Sequence, residues 1–129
     1  MPPLNPSNAR QAIYDQLAMA EGPLTAIQIR MAFKKKIRPG IATVYRAVGA
    51  GIRDGLLKEV ALGNGAMRYE PADRGHHHHF ACTACDRVID IPGCPGSLDG
   101  LVPDGCRLTG HDITLRGLCE SCTKGSVPQ

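Results

Sequence analysis

Two cysteine pairs restrict this chain more than any other feature. Cys82-Thr-Ala-Cys85 and Cys119-Glu-Ser-Cys122 are C-x2-C knuckles flanking residues 86–118. Each knuckle suits two corners of one tetrahedral zinc site, and two knuckles fill all four, so the expected site is structural and closed. The spacer exceeds the usual zinc-ribbon interval of roughly 15–20 residues. It must therefore carry structure of its own, such as strands and a short helix. No apolar run approaches a membrane span, and the start Met1-Pro-Pro-Leu-Asn is unlike a signal peptide. The chain is thus read as soluble and cytoplasmic, where thiols stay reduced and metal ligation is favoured over disulfides. Cys94 and Cys106 stand apart from both knuckles and read as partly buried free thiols. The aromatic complement is thin, with two Phe, three Tyr and no Trp, so a zinc clamp would offset a small core.

All six Cys and all five His follow residue 75. Four of those histidines form the strip His76-His-His-His79, running into Phe80-Ala-Cys82. On an extended segment, side chains alternate between faces. His77 and His79 then share one side, where Glu70 and Asp90 are candidate partners. This N2O2 set, free of thiolate, suits Fe²⁺ or Mn²⁺ and admits Zn²⁺. His76 and His78 share the other side, with His111 as partner and Asp99 as the candidate fourth ligand.

The first half reads differently. Residues 1–70 carry ten Lys/Arg against five Asp/Glu, net +5; residues 71–129 carry five against seven, net −2. A basic half points to a polyanion. Asn8 is the expected cap of a helix running to about Ala20, with Ala9, Ile13, Leu17 and Ala20 inward. Thr25 caps a second helix with Ile29, Ala32 and Phe33 on one face. Residues 34–38 form a basic turn. A third helix is expected over residues 41–54, with Ile41, Val44, Val48 and Ile52 inward, Thr43, Arg46 and Arg53 outward, and Tyr45 at the border. Asn64-Gly65 between residues 57–62 and 66–70 signals a hairpin. Three helices followed by a hairpin make a winged helix-turn-helix. Its third helix would enter a major groove, with Tyr45, Arg46 and Thr43 toward the bases and Lys36 and Arg38 near phosphates. The fold class is therefore α+β: a winged-helix domain over residues 1–70, a hinge at 71–75, and a small zinc-stapled metal-sensing domain over 76–129.

These motifs, in this order, resemble the ferric uptake regulator family with its zinc-uptake and peroxide-sensing relatives. The resemblance rests on Ala42-Thr-Val-Tyr-Arg46, Asp54-Gly-Leu-Leu57, Arg68-Tyr-Glu70, the strip from His76 to Cys85, Val88-Ile-Asp90, Gly110-His111 and Gly117-Leu-Cys-Glu-Ser-Cys122. It covers roughly residues 8 to 122. It implies a homodimer, with residues 76–129 as an α/β dimerisation domain, and a pseudo-palindromic double-stranded DNA operator. It also implies structural zinc at Cys82, Cys85, Cys119 and Cys122, a regulatory cation at Glu70, His77, His79 and Asp90, and a further site at His76, His78 and His111. Three departures stand out. Glu21-Gly-Pro-Leu24 replaces a stretch that often supplies a His ligand, leaving only Glu21 there. The dimerisation helix is short, cut by Gly100 and Pro103. The second His face has no secure carboxylate, Asp99 being the candidate.

The expected function is metal-dependent repression of metal-uptake genes, of the iron type, by a protein that is not an enzyme. A zinc-uptake or peroxide-sensing regulator is the alternative within the family. From other classes come a zinc-stabilised metal-dependent nuclease and a metal buffer.

Overall fold

The computed structural model describes residues 6–62 and 65–125. The chain divides into two compact units, Met1–Gly75 and His76–Gln129.

In the first unit, α1 spans Pro6–Met19. Its Ala9, Ile13 and Leu17 recur every four residues and are buried, as a one-faced helix requires. The helix starts before Asn8, so Asn8 is not its cap. Proline serves in a first turn because the N–H it lacks has no intrahelical partner there. Strand β1, Leu24–Thr25, precedes α2, Ala26–Met31. Thr25 Oγ1 accepts the Gln28 N–H at 3.1 Å, while the Thr25 N–H donates to Gln28 Oε1 at 3.0 Å. This reciprocal cap fixes the start of a helix too short to persist alone. The basic turn contains one 3-10 turn, Lys35–Ile37.

Helix α3, Ile41–Arg53, buries Val44, Ala47, Val48, Ala50 and Gly51. Ile41 is not on that inward face; it is exposed at the helix start. Gly51 is required by packing, since a Cβ there would lie 2.7 Å from Leu57 Cγ. The wing consists of β2, Leu57–Val60, and β3, Arg68–Pro71, antiparallel with Lys58 opposite Glu70. Of the expected Asn64-Gly65 turn, Asn64 lies outside the described residues. The sheet order β1-β3-β2 adds a strand not foreseen from sequence. Arg68, buried in β3, donates from Nη1 to Pro23 O and Gln28 Oε1, both at 3.1 Å. The wing is thereby hydrogen-bonded to the α2 cap. Ile13, Leu17, Ile29, Phe33, Val44 and Val48 are central to the core. The expected hinge is tied down within this unit: Pro71 ends β3, and Arg74 Nη2 donates to Leu17 O and Ala18 O at 2.7 and 3.0 Å.

The second unit is built on β4 (His78–Cys82), β5 (Val88–Ile91) and β6 (Thr114–Gly117), in the order β5-β4-β6. Strand β4 pairs antiparallel with β5 and parallel with β6. The expected short helix of the spacer is a single 3-10 turn, Asp99–Leu101. Helix α4, Glu120–Thr123, is N-capped by Cys119.

Candidate metal centres and nucleic-acid interface

Cys82 ends β4 opposite Gly117 of β6, two residues before Cys119, so the parallel pairing delivers one knuckle to the other. The Sγ atoms of Cys82 and Cys122 are 3.6 Å apart, and those of Cys85 and Cys119 are 3.8 Å apart. Four sulfurs bound tetrahedrally at about 2.3 Å would stand about 3.8 Å from one another. Backbone N–H groups of Ala84 and Cys119 each donate to Cys82 Sγ at 3.4 Å. The Cys119 donor is the main reason that the Cys82 thiol falls to about 6. Burial, foremost, pushes Cys122 up to about 12. The donor set is all sulfur, largely buried and closed, and it fits a structural zinc.

The register of β4 and β5 creates a second cluster. His79 lies directly opposite Asp90. Asp90 Oδ1 is 3.6 Å from Nε2 of both His77 and His79, whose ring centroids are 4.8 Å apart. All three side chains are mostly buried. Two imidazoles and a carboxylate, without sulfur, fit Fe²⁺, Mn²⁺ or Zn²⁺. Glu70 belongs to the first unit, where its carboxylate is 1% exposed and lies 3.8 Å from Lys58 Nζ. Glu21 is exposed and belongs to none of the clusters found among the described residues.

His76, His78 and His111 form the third cluster, and a fourth member missed in the sequence joins them: Cys94. Its Sγ is 3.6 Å from His76 Nε2, 3.4 Å from His78 Nε2 and 3.3 Å from His111 Nε2. Cys94 is thus no isolated partly buried thiol. Asp99 is not brought to this cluster; its carboxylate accepts the Ser97 hydroxyl at 2.9 Å. The signal available in the sequence was Pro92-Gly-Cys-Pro-Gly96, whose turn residues free Cys94 from strand alternation. Cys106 is exposed and outside every such cluster among the described residues.

On the first unit, Tyr45 and Arg46 are exposed on α3, and Arg46 Nη2 donates to Thr43 Oγ1 at 3.2 Å. Beside the start of α3, Lys36, Arg38, Gly40 and Thr43 line a cleft of about 300 Å³. Arg38 is partly committed: Nε and Nη2 both donate to Phe33 O, at 3.3 and 3.0 Å. Among the described residues, no helix is long and apolar enough to cross a membrane.

Comparison with known protein families matches residues 4–96 to the Ferric uptake regulator family. The ferric uptake regulation protein of Campylobacter jejuni is 31% identical over 86 residues, covering 64% of this chain and 55% of that protein's length. The peroxide operon regulator of Bacillus subtilis is 29% identical over 121 residues, covering 89% of this chain and 81% of its own. Among solved structures, the Helicobacter pylori ferric uptake regulator, described as having three functional metal binding sites, superimposes with a TM-score of 0.70. That alignment is 22% identical and covers 93% of this chain and 83% of the other. At that identity the likeness establishes the fold.

Proposed function

This chain belongs to the Ferric uptake regulator family, and on that premise we propose that it is a metal-dependent, DNA-binding transcriptional repressor controlling metal-uptake genes of the iron type. The observation carrying this reading is the convergence of His77, His79 and Asp90 on one face of the β4–β5 ladder, with no sulfur among them. Glu70 is the proposed fourth ligand, supplied by the last strand of the wing. Held by residues of both units, the cation would favour one arrangement of the winged helix. Only a differential affinity for that arrangement could shift the equilibrium. Cys82, Cys85, Cys119 and Cys122 would hold zinc permanently and keep the second unit folded.

The partner in this reading is a pseudo-palindromic duplex, read by a homodimer whose two copies of α3 lie about one helical turn apart. Exposed Tyr45 and Arg46 support base contact, and the Lys36–Thr43 cleft supports phosphate contact. Strand β6 is a sheet edge with Leu115 exposed, a feature that suits pairing with a second copy. The protein acts by binding and not by catalysis.

The test selects bound duplexes from a random pool and titrates the winner against Fe²⁺ or Mn²⁺ without oxygen. His77→Ala/His79→Ala should abolish a metal-induced gain of roughly 5- to 150-fold, and Arg46→Ala should cost about 1–3 kcal/mol of operator affinity. Equal, metal-independent binding by native protein and the double variant would exclude the switch. Metal-dependent strand cleavage would instead identify a nuclease, and metal uptake without sequence selectivity a buffer. The match to the Bacillus subtilis peroxide operon regulator, the longer of the two sequence matches described, favours one second reading, peroxide sensing. Its signature would be a one-oxygen mass gain on His77 or His79 after peroxide treatment of the Fe²⁺-loaded protein.

A further inference from the structure

We infer that Cys94 is a metal ligand, and that with His76 and His111 it makes the third cluster an exchangeable, zinc-selective site rather than an iron or manganese site. The three ligand atoms form one triangular face. The two imidazole Nε2 atoms are 3.2 Å apart, and the sulfur stands 3.6 and 3.3 Å from them. Tetrahedral zinc with bonds of about 2.05 Å to nitrogen and 2.3 Å to sulfur requires edges of about 3.3 Å between nitrogens and 3.6 Å from sulfur to nitrogen. Uncoordinated imidazoles and a thiol have no reason to share such a triangle on a surface loop, where water satisfies each of them.

His78 occupies the inner side and is 2% exposed. Its Nδ1 accepts the Ile113 N–H at 3.1 Å, so the neutral ring carries its proton on Nε2, 3.4 Å from Cys94 Sγ. That proton is donated to the sulfur. It orients the thiolate and spreads its charge, as hydrogen-bonding partners outside a metal's ligand shell do. His78 is thus a positioning residue, and three protein ligands remain. Three ligands leave one corner open, and His76 and Cys94 are exposed. Such a site exchanges its metal with solvent, unlike the closed four-cysteine cluster. A thiolate in the set selects zinc over manganese. On binding, the Cys94 thiol loses its proton to solvent and the sulfur–metal bond replaces the S–H bond.

The full chain, with zinc already in its four-cysteine cluster, provides the test. Each cysteine's alkylation by iodoacetamide is followed by peptide mass spectrometry while Zn²⁺ or Mn²⁺ is added up to two further equivalents. Zinc should slow alkylation of Cys94 at least tenfold and leave exposed Cys106 unchanged, making Cys106 the internal control. Manganese should protect neither. His76→Ala/His111→Ala should remove the protection while Cys82, Cys85, Cys119 and Cys122 stay shielded, showing an intact fold. His78→Ala should weaken protection without abolishing it. Identical rates for Cys94 with and without zinc, or protection that survives loss of both histidines, would overturn the assignment. No DNA enters this experiment, so its failure is separate from failure of the repressor reading.

Discussion

Gln28 offers a sharp test of how the wing is attached. Its Oε1 accepts the Thr25 N–H at the α2 cap and also accepts Arg68 Nη1 from β3. Thr25→Ala removes one half of the cap and should cost about 1 kcal/mol. Gln28→Ala removes the other half and also strips an acceptor from a buried guanidinium. The first loss is about 1 kcal/mol and the second about 1.5–3 kcal/mol, so roughly 2.5–4 kcal/mol is expected in total. The bond from Arg68 to Pro23 O, which the substitution leaves in place, limits the damage. All three tyrosines, Tyr14, Tyr45 and Tyr69, lie in the first unit, and there is no tryptophan. Tyrosine fluorescence during urea unfolding of the zinc-loaded chain therefore reports this unit alone. A Gln28→Ala cost no greater than that of Thr25→Ala would refute the shared-acceptor account. So would strict additivity of Gln28→Ala with Arg68→Met, because side chains sharing a bond must couple.

Two further outcomes follow from burial and ligation. Leu17→Ala empties a fully buried position in the first core and should cost about 2–5 kcal/mol, read by the same tyrosine signal. Cys119→Ser removes a buried sulfur from the cluster while leaving a residue suited to the N-cap position of α4, where Cys119 makes no side-chain cap bond. It should abolish stoichiometric zinc at the four-cysteine cluster and raise amide exchange across β4 and β6; zinc retained at native stoichiometry would contradict a four-cysteine site.

Much of the site chemistry was legible because strand alternation is rigid. Carrying the alternation of residues 78–82 one residue back puts His77 on the side of His79, and Asp90 meets them when β5 folds back in antiparallel register. The first unit was readable for a similar reason, its buried residues recurring at helical spacing along α1 and α3. What stayed hidden depends on contacts distant in sequence. Strand β1 has two residues and exists only because β3 pairs with it. Arg68 stands in the sequence only as part of the Arg68-Tyr-Glu70 motif, with nothing to mark it as buried, and its burial becomes tolerable only when Pro23 and Gln28 are brought alongside. Cys94 sits between two Pro-Gly dipeptides, where no periodicity says which way a side chain points, while Asp99 was consumed by the nearby Ser97 hydroxyl. The start of α1 was misread because Asn8 is a good cap, yet Pro6 begins a helix equally well.

The parallel alignment of β4 with β6 also bears on biosynthesis. Strand β4 is flanked on both sides, and one flank is encoded more than thirty residues downstream. During synthesis the β4–β5 hairpin can form as soon as it leaves the ribosome, but one edge stays bare until Thr114–Gly117 has emerged. The first knuckle must wait equally long for its mate, as a nascent dithiol exposed to oxidants and stray cations. Long-range pairings of this kind form late and slowly. A pause in translation after residues 78–91 have left the ribosome and before Thr114–Gly117 has done so would therefore lengthen the interval in which this segment is vulnerable, while the upstream unit has already emerged whole.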